Sequence, residues 1–399
     1  MSSVQLEVAE VFRRFLPAYQ ARYGIAPHQH KAIWAITHCR TATLGGHVDG
    51  CTHCGHIRIS YNSCGNRHCP KCQWRRQREW LEARMSEVLP VAYYHVVFTL
   101  PQELNPFVRC NERLMYNMLF RCAWQALREL CLDPKFLGAH IGMMAVLHTW
   151  GQNLCLHPHV HAIVPAGGLS EDSRRWIKLA KDSFFVPVEA LSALFQGKYL
   201  DCFKKAYRSG ALQLEGQSLQ WDRYPVAFQR FCSKLYDKAW VTYAKRPFGG
   251  PAQVLRYLGR YTHRVAISSS RLEEVRDEKV SFWYKDYRQE AKRKLLTLDG
   301  LEFLRRFLQH ILPPGFAKIR YYGILANRSK KERLAHIRTL IGEPGPICST
   351  TEDLPPLPDS NQCPCCGKKT MIRMGVIPGG PVRAPPQTSL ISKRTPIPN

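Results

Sequence analysis

The sequence predicts an α+β protein with an N-terminal zinc-binding module, and three observations carry that expectation. Residues 91–100 read V-A-Y-Y-H-V-V-F-T-L, a β-branched and aromatic run closed by Pro101, which is a strand pattern. Residues 141–149 and 156–164 form two more such runs around Gly151-Gln152-Asn153, so the second returns antiparallel to the first. Amphipathic helices separate the strands, and two Cys-x-x-Cys knuckles precede them.

The 399 residues have room for two or three domains, and 45% hydrophobic content is ordinary for a globular chain. Lys and Arg number 57 against 31 Asp and Glu, a net charge of +26 that points to a polyanion partner. Glu7, Glu10, Arg13 and Arg14 interrupt the N-terminus, which therefore does not resemble a signal peptide. No run reaches the ~20 apolar residues of a membrane span. A soluble, intracellular protein is expected. Of 16 cysteines, six fall between Cys39 and Cys72 and four between Cys348 and Cys366, a clustering that means metal in a reducing compartment.

In chain order, residues 4–23 and 29–38 have helical spacing. The cysteine segment follows as Cys51-x2-Cys54, Cys64, and His68-Cys69-Pro70-Lys71-Cys72, the two knuckles fourteen residues apart. That spacing suits a zinc ribbon with Cys51, Cys54, Cys69 and Cys72 on one tetrahedral ion. Cys39, His47, Cys64 and His68 remain candidates for a second site or for substitution into the first. Arg58, Arg67, Lys71, Arg75, Arg76 and Arg78, interleaved with Tyr61, Trp74 and Trp80, suit nucleic-acid binding. Residues 79–88 continue as helix to Pro90. Residues 105–132 read as one long amphipathic helix ended by Asp133-Pro134. Further on, residues 183–188 are strand-like, 188–207 and 228–243 helical, and 211–221 an exposed excursion. Residues 265–269 and 280–284 alternate as strands around a turn-like 273–278. Residues 301–311 form a helix, 318–325 a basic aromatic strand and 329–341 a basic helix.

The stretch with most chemistry is L-H-P-H-V-H-A-I-V, residues 156–164. His157, His159 and His161 alternate, as on one face of a strand. Two imidazoles on a rigid strand can bite one divalent cation and leave positions open for substrate oxygens. For any single histidine, a hydrogen-bonded structural role is the better reading; three in alternation ahead of a core strand favour a metal. Across the hairpin, an even-length loop places His148 on the same face as third ligand, whereas an odd loop turns it away. Gln152 and then His157 are the alternates. Two chemistries are open at this point: a nucleotide-hydrolase histidine triad, or a nickase that also needs a tyrosine nucleophile.

Residues 249–264 supply that tyrosine. Pro251 follows two glycines at a helix start, and Tyr257 and Tyr261 lie four apart, hence on one helical face. Arg256, Arg260, His263 and Arg264 surround them. A packed tyrosine pair explains either ring alone; two hydroxyls among arginines, beside a metal-ready His-x-His, fit nucleophiles better.

Taken together, C-T-H-C-G-H, S-C-G-N-R-H-C-P-K-C-Q, H-T-W-G-Q-N-L-x-x-H-P-H-V-H-A-I-V, Y-L-G-R-Y-T-H-R-V-A-I-S and W-Y-K-D-Y resemble rolling-circle transposases of the insertion-sequence ninety-one family. These are two-tyrosine enzymes of the His-hydrophobe-His (HUH) class. The likeness runs from about Val4 to Leu325, with the motifs in matching order. It implies an HUH-endonuclease-like central antiparallel sheet flanked by helices. It also implies transposition by nicking and joining single-stranded DNA at element ends through a 5′-phosphotyrosine. Mg²⁺ or Mn²⁺ would be the catalytic ion on His159, His161 and the third ligand, Zn²⁺ the structural one. Tyr257 and Tyr261 would be the nucleophiles, and Arg75, Arg76, Arg256, Arg260, His263 and Arg264 would grip DNA.

The expected organisation is a zinc-binding, DNA-binding unit at 1–90, a catalytic unit at 91–341, and a Pro-rich basic tail at 342–399. The tail carries a small cysteine knuckle, Cys363-Pro364-Cys365-Cys366. DNA is the expected partner, membranes are not, a homodimer is compatible, and the location is the bacterial cytoplasm near the nucleoid. Plasmid replication initiators or relaxases share the chemistry; a zinc-dependent, non-catalytic DNA-binding regulator is the alternative of another class.

Overall fold

The structure, a computed structural model, describes residues 6–179, 186–221, 224–245, 262–328, 330–343 and 359–380. Its helices are α1 (Val8–Arg22), α2 (Pro27–His38), α3 (Gln73–Met85), α4 (Asn105–Cys110), α5 (Glu112–Leu132), α6 (Val188–Arg208), α7 (Pro225–Tyr236), α8 (Gly300–Leu308) and α9 (Lys330–Ile341). The strands are β1 (Gly46–Cys51), β2 (Ile57–Tyr61), β3 (Tyr93–Thr99), β4 (Gly142–Trp150), β5 (Leu156–Pro165), β6 (Gly167–Leu169) and β7 (Trp176–Lys178). They continue as β8 (Thr242–Lys245), β9 (Leu272–Arg276), β10 (Lys279–Asp286), β11 (Lys292–Asp299), β12 (Ile319–Gly323) and β13 (Met371–Ile377).

The expected central antiparallel sheet is present, with strand order β12-β4-β5-β3-β8. Alternation assigns its two faces. Val96, Phe98, Ala145, Leu147, Val160 and Ala162 bury one face against α5 and α6. Burying a large apolar side chain stabilises by about 1.5–3 kcal/mol, so this face holds the sheet in place. On the other face, Met144, Val146 and Ile163 pack beneath Leu81 of α3 and Leu334 and Ile337 of α9. Farther along that face the apolar residues give way to histidines.

Two smaller three-stranded sheets complete the frame, β11-β10-β9 and β13-β1-β2. The first packs with α1, α2 and α8 in one core, where Phe12 meets Phe307 edge-on at 5.1 Å. Asp299 caps α8, accepting from the Leu301 and Glu302 amides at 2.9 and 3.3 Å. In the second, the C-terminal segment expected to form a tail adds β13 to the N-terminal hairpin.

Several elements differ from expectation. The long helix breaks at Asn111 (φ −128°, ψ 38°), whose side chain donates to the Gln213 carbonyl at 2.9 Å and accepts from its amide at 2.7 Å. That anchor explains why residues 211–221 are no exposed excursion: Leu212 and Trp221 are buried in the main core. The helix expected over 228–243 ends at Tyr236, and the chain becomes edge strand β8. Residues 265–269 form no strand, while 273–278 is mostly β9, turning into β10 at Asp277-Glu278 with φ of 46° and 58°. The sequence analysis assigns no element to β11 (K-R-K-L-L-T-L-D): three consecutive basic residues open it, and Leu298 is its one buried side chain. Of the strand-like 183–188, residues 186–188 are described and form no strand, Val188 opening α6, while 183–185 and residues 381–399 of the Pro-rich stretch lie outside the described residues. Among the described residues no helix is long and apolar enough to cross a membrane.

Candidate active site and metal centres

His148, His159 and His161 converge, with one ring nitrogen from each within 4.8 Å of the others. His148 stands opposite His159 in the ladder between β4 and β5. The loop closed by the Trp150–Leu156 pair has odd length, which alone would turn His148 away. A register shift between His148 and Trp150 reverses the parity: His157 and Pro158 on β5 oppose the single residue Thr149 on β4. Proline lacks the amide a regular ladder needs and suits such a bulge. Thus the proline of H-P-H-V-H brings the third histidine to the face. Gln152 and His157, the alternates, do not enter the cluster. The His157 side chain is exposed, and the Gln152 carbonyl accepts from Arg271.

Hydrogen bonds fix two of the three rings. His159 Nδ1 lies 2.6 Å from the His157 carbonyl, which only accepts, so Nδ1 carries the proton and Nε2 is free to ligate. His161 Nδ1 lies 2.9 Å from His95 Nε2 with the rings stacked, which fixes the His161 ring beside the cluster. His95, buried on β3, was missed by the sequence reading; its signal was a lone imidazole within an apolar strand. Burial, helped by His157 and Arg264, holds His159 down to about 3. Burial and the neighbouring His148 and His159 hold His161 well below its ordinary value. Neutral imidazoles are the ligating form, so the trio fits a divalent cation.

The bulge is braced from outside the sheet. Buried His310, just after α8, donates from Nε2 to the Leu154 carbonyl at 3.0 Å and accepts at Nδ1 from the Thr149 hydroxyl at 3.1 Å. Burial pushes its pKa down to about 4. The unfolded chain, with His near 6.5, therefore binds the proton first. Stability from this group is complete above about pH 6.5 and falls as pH drops toward about 4. His310→Ala should lose about 1–3 kcal/mol at pH 7.5 through its stranded partners, with a shallower loss between pH 6.5 and 4.5. Urea unfolding at a series of pH values checks this; an unchanged slope would remove His310 from the role.

Cations gather beside the histidines. Arg264 is close enough to contribute to the depressed His159 and His161. Lys318 donates to the Arg264 carbonyl at 2.8 Å and sits 5.1 Å over Trp150, which stacks on His148. Burial, with Arg67 and Arg264 nearby, lowers Lys318 to about 7. His263 packs on Trp80 of α3 at 5.8 Å and is lowered to about 4 by burial, with Lys318 and Arg76 adding to it. The basic face of α3 therefore meets residues 263–264 beside the trio. Arg75 and Arg76 are exposed, Arg75 pairing with Glu79 at 2.9 Å. Three other basic residues of the module are engaged internally: Arg67 donates to the Leu312, Pro313 and Phe316 carbonyls, Arg58 pairs with Asp49, and Lys71 with Glu7. Tyr257, Tyr261, Arg256 and Arg260 lie outside the described residues. Their flanks do not: β8 pairs with β3 beside His95, and Arg264 lies near His159 and His161.

The cysteines form two groups, not one ribbon. Cys39, Cys64, Cys69 and Cys72 meet at one place, and Cys51, Cys54, Cys363 and Cys366 at another. Sulfur separations of 3.2–3.4 Å in the first and 3.6–3.7 Å in the second approach the ~3.8 Å that Zn–S bonds of about 2.3 Å impose on a tetrahedron. Both sets fit structural zinc. The expected quartet of Cys51, Cys54, Cys69 and Cys72 is corrected because the β1–β2 hairpin separates its halves. Cys51 and Cys54 sit at the hairpin tip, whereas Cys39 and Cys64 flank its base, about five residues of strand or ~17 Å away. Cys39 and Cys64 are thus ligand candidates that join a cluster, while His47 pairs with Asp49 at 3.4 Å and His68 lies beside Arg67.

Comparison with known proteins gives the same picture. A family model described as "Putative transposase" matches residues 142–333, spanning β4, the histidines and α8, and one described as "Transposase zinc-binding domain" matches residues 11–100. The chain is 46% identical to "Putative transposase y4qJ" of Sinorhizobium fredii, over 96% of this chain and 97% of that protein. It is 29% identical to "Transposase for insertion sequence element IS801" of Pseudomonas savastanoi pv. phaseolicola, over 76% of this chain and 72% of that protein. No solved structure matches significantly. With its histidine-bearing antiparallel sheet and cysteine-rich N-terminal module, the chain belongs to the IS91 family of transposases that carry an N-terminal zinc-binding domain.

Proposed function

We propose that this transposase nicks and rejoins single-stranded DNA at the ends of its element by an HUH, two-tyrosine, rolling-circle route in the cytoplasm. The observation that carries the reading is the convergence of His148, His159 and His161 on a sheet face bordered by the flanks of the tyrosine segment. These three residues would hold Mg²⁺ or Mn²⁺, which when bound supplies Lewis-acid polarisation of the scissile phosphate.

The remaining steps belong to the chain's own groups. A tyrosine oxygen attacks phosphorus, the bond to the 3′ oxygen breaks, and the phenolic proton is lost as the 3′ oxygen gains one. The 5′ end stays on the tyrosine, and a 3′-hydroxyl reverses the step at another junction without ATP. Arg264 stands beside the trio to offset negative charge on the phosphate. Arg75, Arg76 and His263, with Arg256 and Arg260 from the tyrosine segment, would guide the backbone of an unpaired strand.

The test is incubation with labelled single strands spanning the termini of the DNA segment that encodes the protein, with Mn²⁺, followed by denaturing electrophoresis. The expected product is a protein-linked 5′ fragment and a free 3′-hydroxyl fragment. Binding without any covalent product would replace this reading with a non-catalytic DNA-binding role.

A further inference from the structure

We propose that a second structural zinc ion, held by Cys51, Cys54, Cys363 and Cys366, joins the two ends of the chain, so that the N-terminal module is complete only when the C-terminal segment docks. The two half-sites are built alike. In one, Cys51-Thr52-His53-Cys54-Gly55, the Gly55 amide donates to the Cys51 carbonyl at 3.0 Å and the Cys51 amide to the His56 carbonyl at 2.9 Å. In the other, Cys363-Pro364-Cys365-Cys366-Gly367, the Gly367 amide donates to the Cys363 carbonyl at 2.9 Å and the Cys363 amide to the Lys368 carbonyl at 2.8 Å. Gly55 and Gly367 have φ of +71° and +72°, and a Cβ on either would meet nothing within 4 Å. Each glycine is therefore set by its turn, not by crowding. Two knuckles of one geometry, each offering two thiols and facing the other across 3.6–3.7 Å, make a full tetrahedral site from half-sites 309 and 315 residues apart.

The surroundings make the ion necessary. The core beneath the knuckles consists of Cys51, Cys363 and Met371, with Cys366 partly covering it. So few apolar side chains do not fix a strand and two turns against the entropy of ordering them. Yet β13 pairs along all of β1, from Gly46–Ile377 to Cys51–Met371, and makes β1 the middle strand of three. Without it the sheet is a two-stranded hairpin, which is marginal alone. The zinc-binding family model ends at residue 100 and so contains half of these ligands.

Metal counting on the full-length, zinc-loaded protein tests the proposal. Elemental analysis should give two zinc ions per chain, one for each four-cysteine group. The Cys363→Ser/Cys366→Ser chain should keep one and lose order in the β1–β2 hairpin, seen as faster hydrogen exchange there. Cys365→Ser, altering the neighbouring exposed cysteine outside the group, should keep both. One zinc in the unaltered protein, or two in the double variant, overturns the proposal. Alkylation of the unaltered protein covers the case in which the double variant fails to fold. Cys51, Cys54, Cys363 and Cys366 should react at least about tenfold more slowly than Cys365, until a chelator is added. Equal reactivity of Cys363, Cys365 and Cys366 in the loaded protein refutes the site.

Discussion

Tyr257→Phe/Tyr261→Phe should form no covalent DNA adduct, a loss of at least about 10⁴-fold in cleavage, while still binding DNA and zinc. Phenylalanine keeps the ring and removes only the oxygen that would attack phosphorus, so folding should barely change. Four residues apart on a helix, the two hydroxyl-bearing side chains would lie about 6 Å from each other along the axis, within reach of one site. Connectivity supports their access: β8 leads into the segment from beside His95, and Arg264, shortly after it, lies near His159 and His161. Each single variant should keep some nicking, and one should lose strand transfer; we expect Tyr261, nearer His263 and Arg264, to make the first cut. The sheet supplies a demanding control. Tyr243 on β8 is 42% exposed and lies opposite Val97, which lies opposite His161. Its backbone is therefore about 10 Å from that of His161. Tyr243→Phe should retain the adduct, and peptide mapping of the trapped linkage to Tyr243, Tyr284 or Tyr287 would sink the assignment.

How much of this was legible before the structure depended on the range of the interaction. Period-two alternation exposed β3, β4 and β5, and with them the face carrying His159 and His161, because strand geometry is local. The place of His148 was legible only as a conditional. Loop length gives parity, but the His157-Pro158 bulge resets it, and a bulge is a property of the pair of strands. The same limit governed the cysteines. Spacing shows that Cys51 belongs with Cys54 and Cys69 with Cys72, since a knuckle is one local turn. Which pairs share an ion depends on β13 crossing back from the far end of the chain, and nothing near residue 51 records that. His95 was overlooked for a related reason. Its partner His161 is 66 residues away, and a lone histidine in an apolar strand looks like packing. The basic residues were overread: Arg58, Arg67 and Lys71 satisfy carboxylates and carbonyls within the fold, which charge counting cannot distinguish from a nucleic-acid surface.

Substitution around the histidine trio should produce a graded series that a merely structural role would not. His159→Ala and His161→Ala each remove a candidate metal ligand and should lower cleavage by about 10³-fold or more, with DNA binding nearly unchanged, because affinity would reside in phosphate contacts elsewhere. His148→Ala should be equally severe now that His148 stands opposite His159 within the cluster. Gln152→Ala and removal of the exposed His157 side chain should be mild, since neither reaches it and His157 acts on His159 through its carbonyl. His95→Ala belongs between these extremes. It removes the partner that fixes the His161 ring but no candidate ligand, so it should weaken metal affinity about 10- to 100-fold. That makes it separable by titration: raising Mn²⁺ should restore most cleavage to His95→Ala and little to His161→Ala. The measurement is initial cleavage rate of a single-stranded end against Mn²⁺ concentration. A His95→Ala chain that stays inactive at saturating Mn²⁺ would show that His95 does more than orient its neighbour. Near-normal cleavage by His159→Ala or His161→Ala would remove the trio from the chemistry altogether.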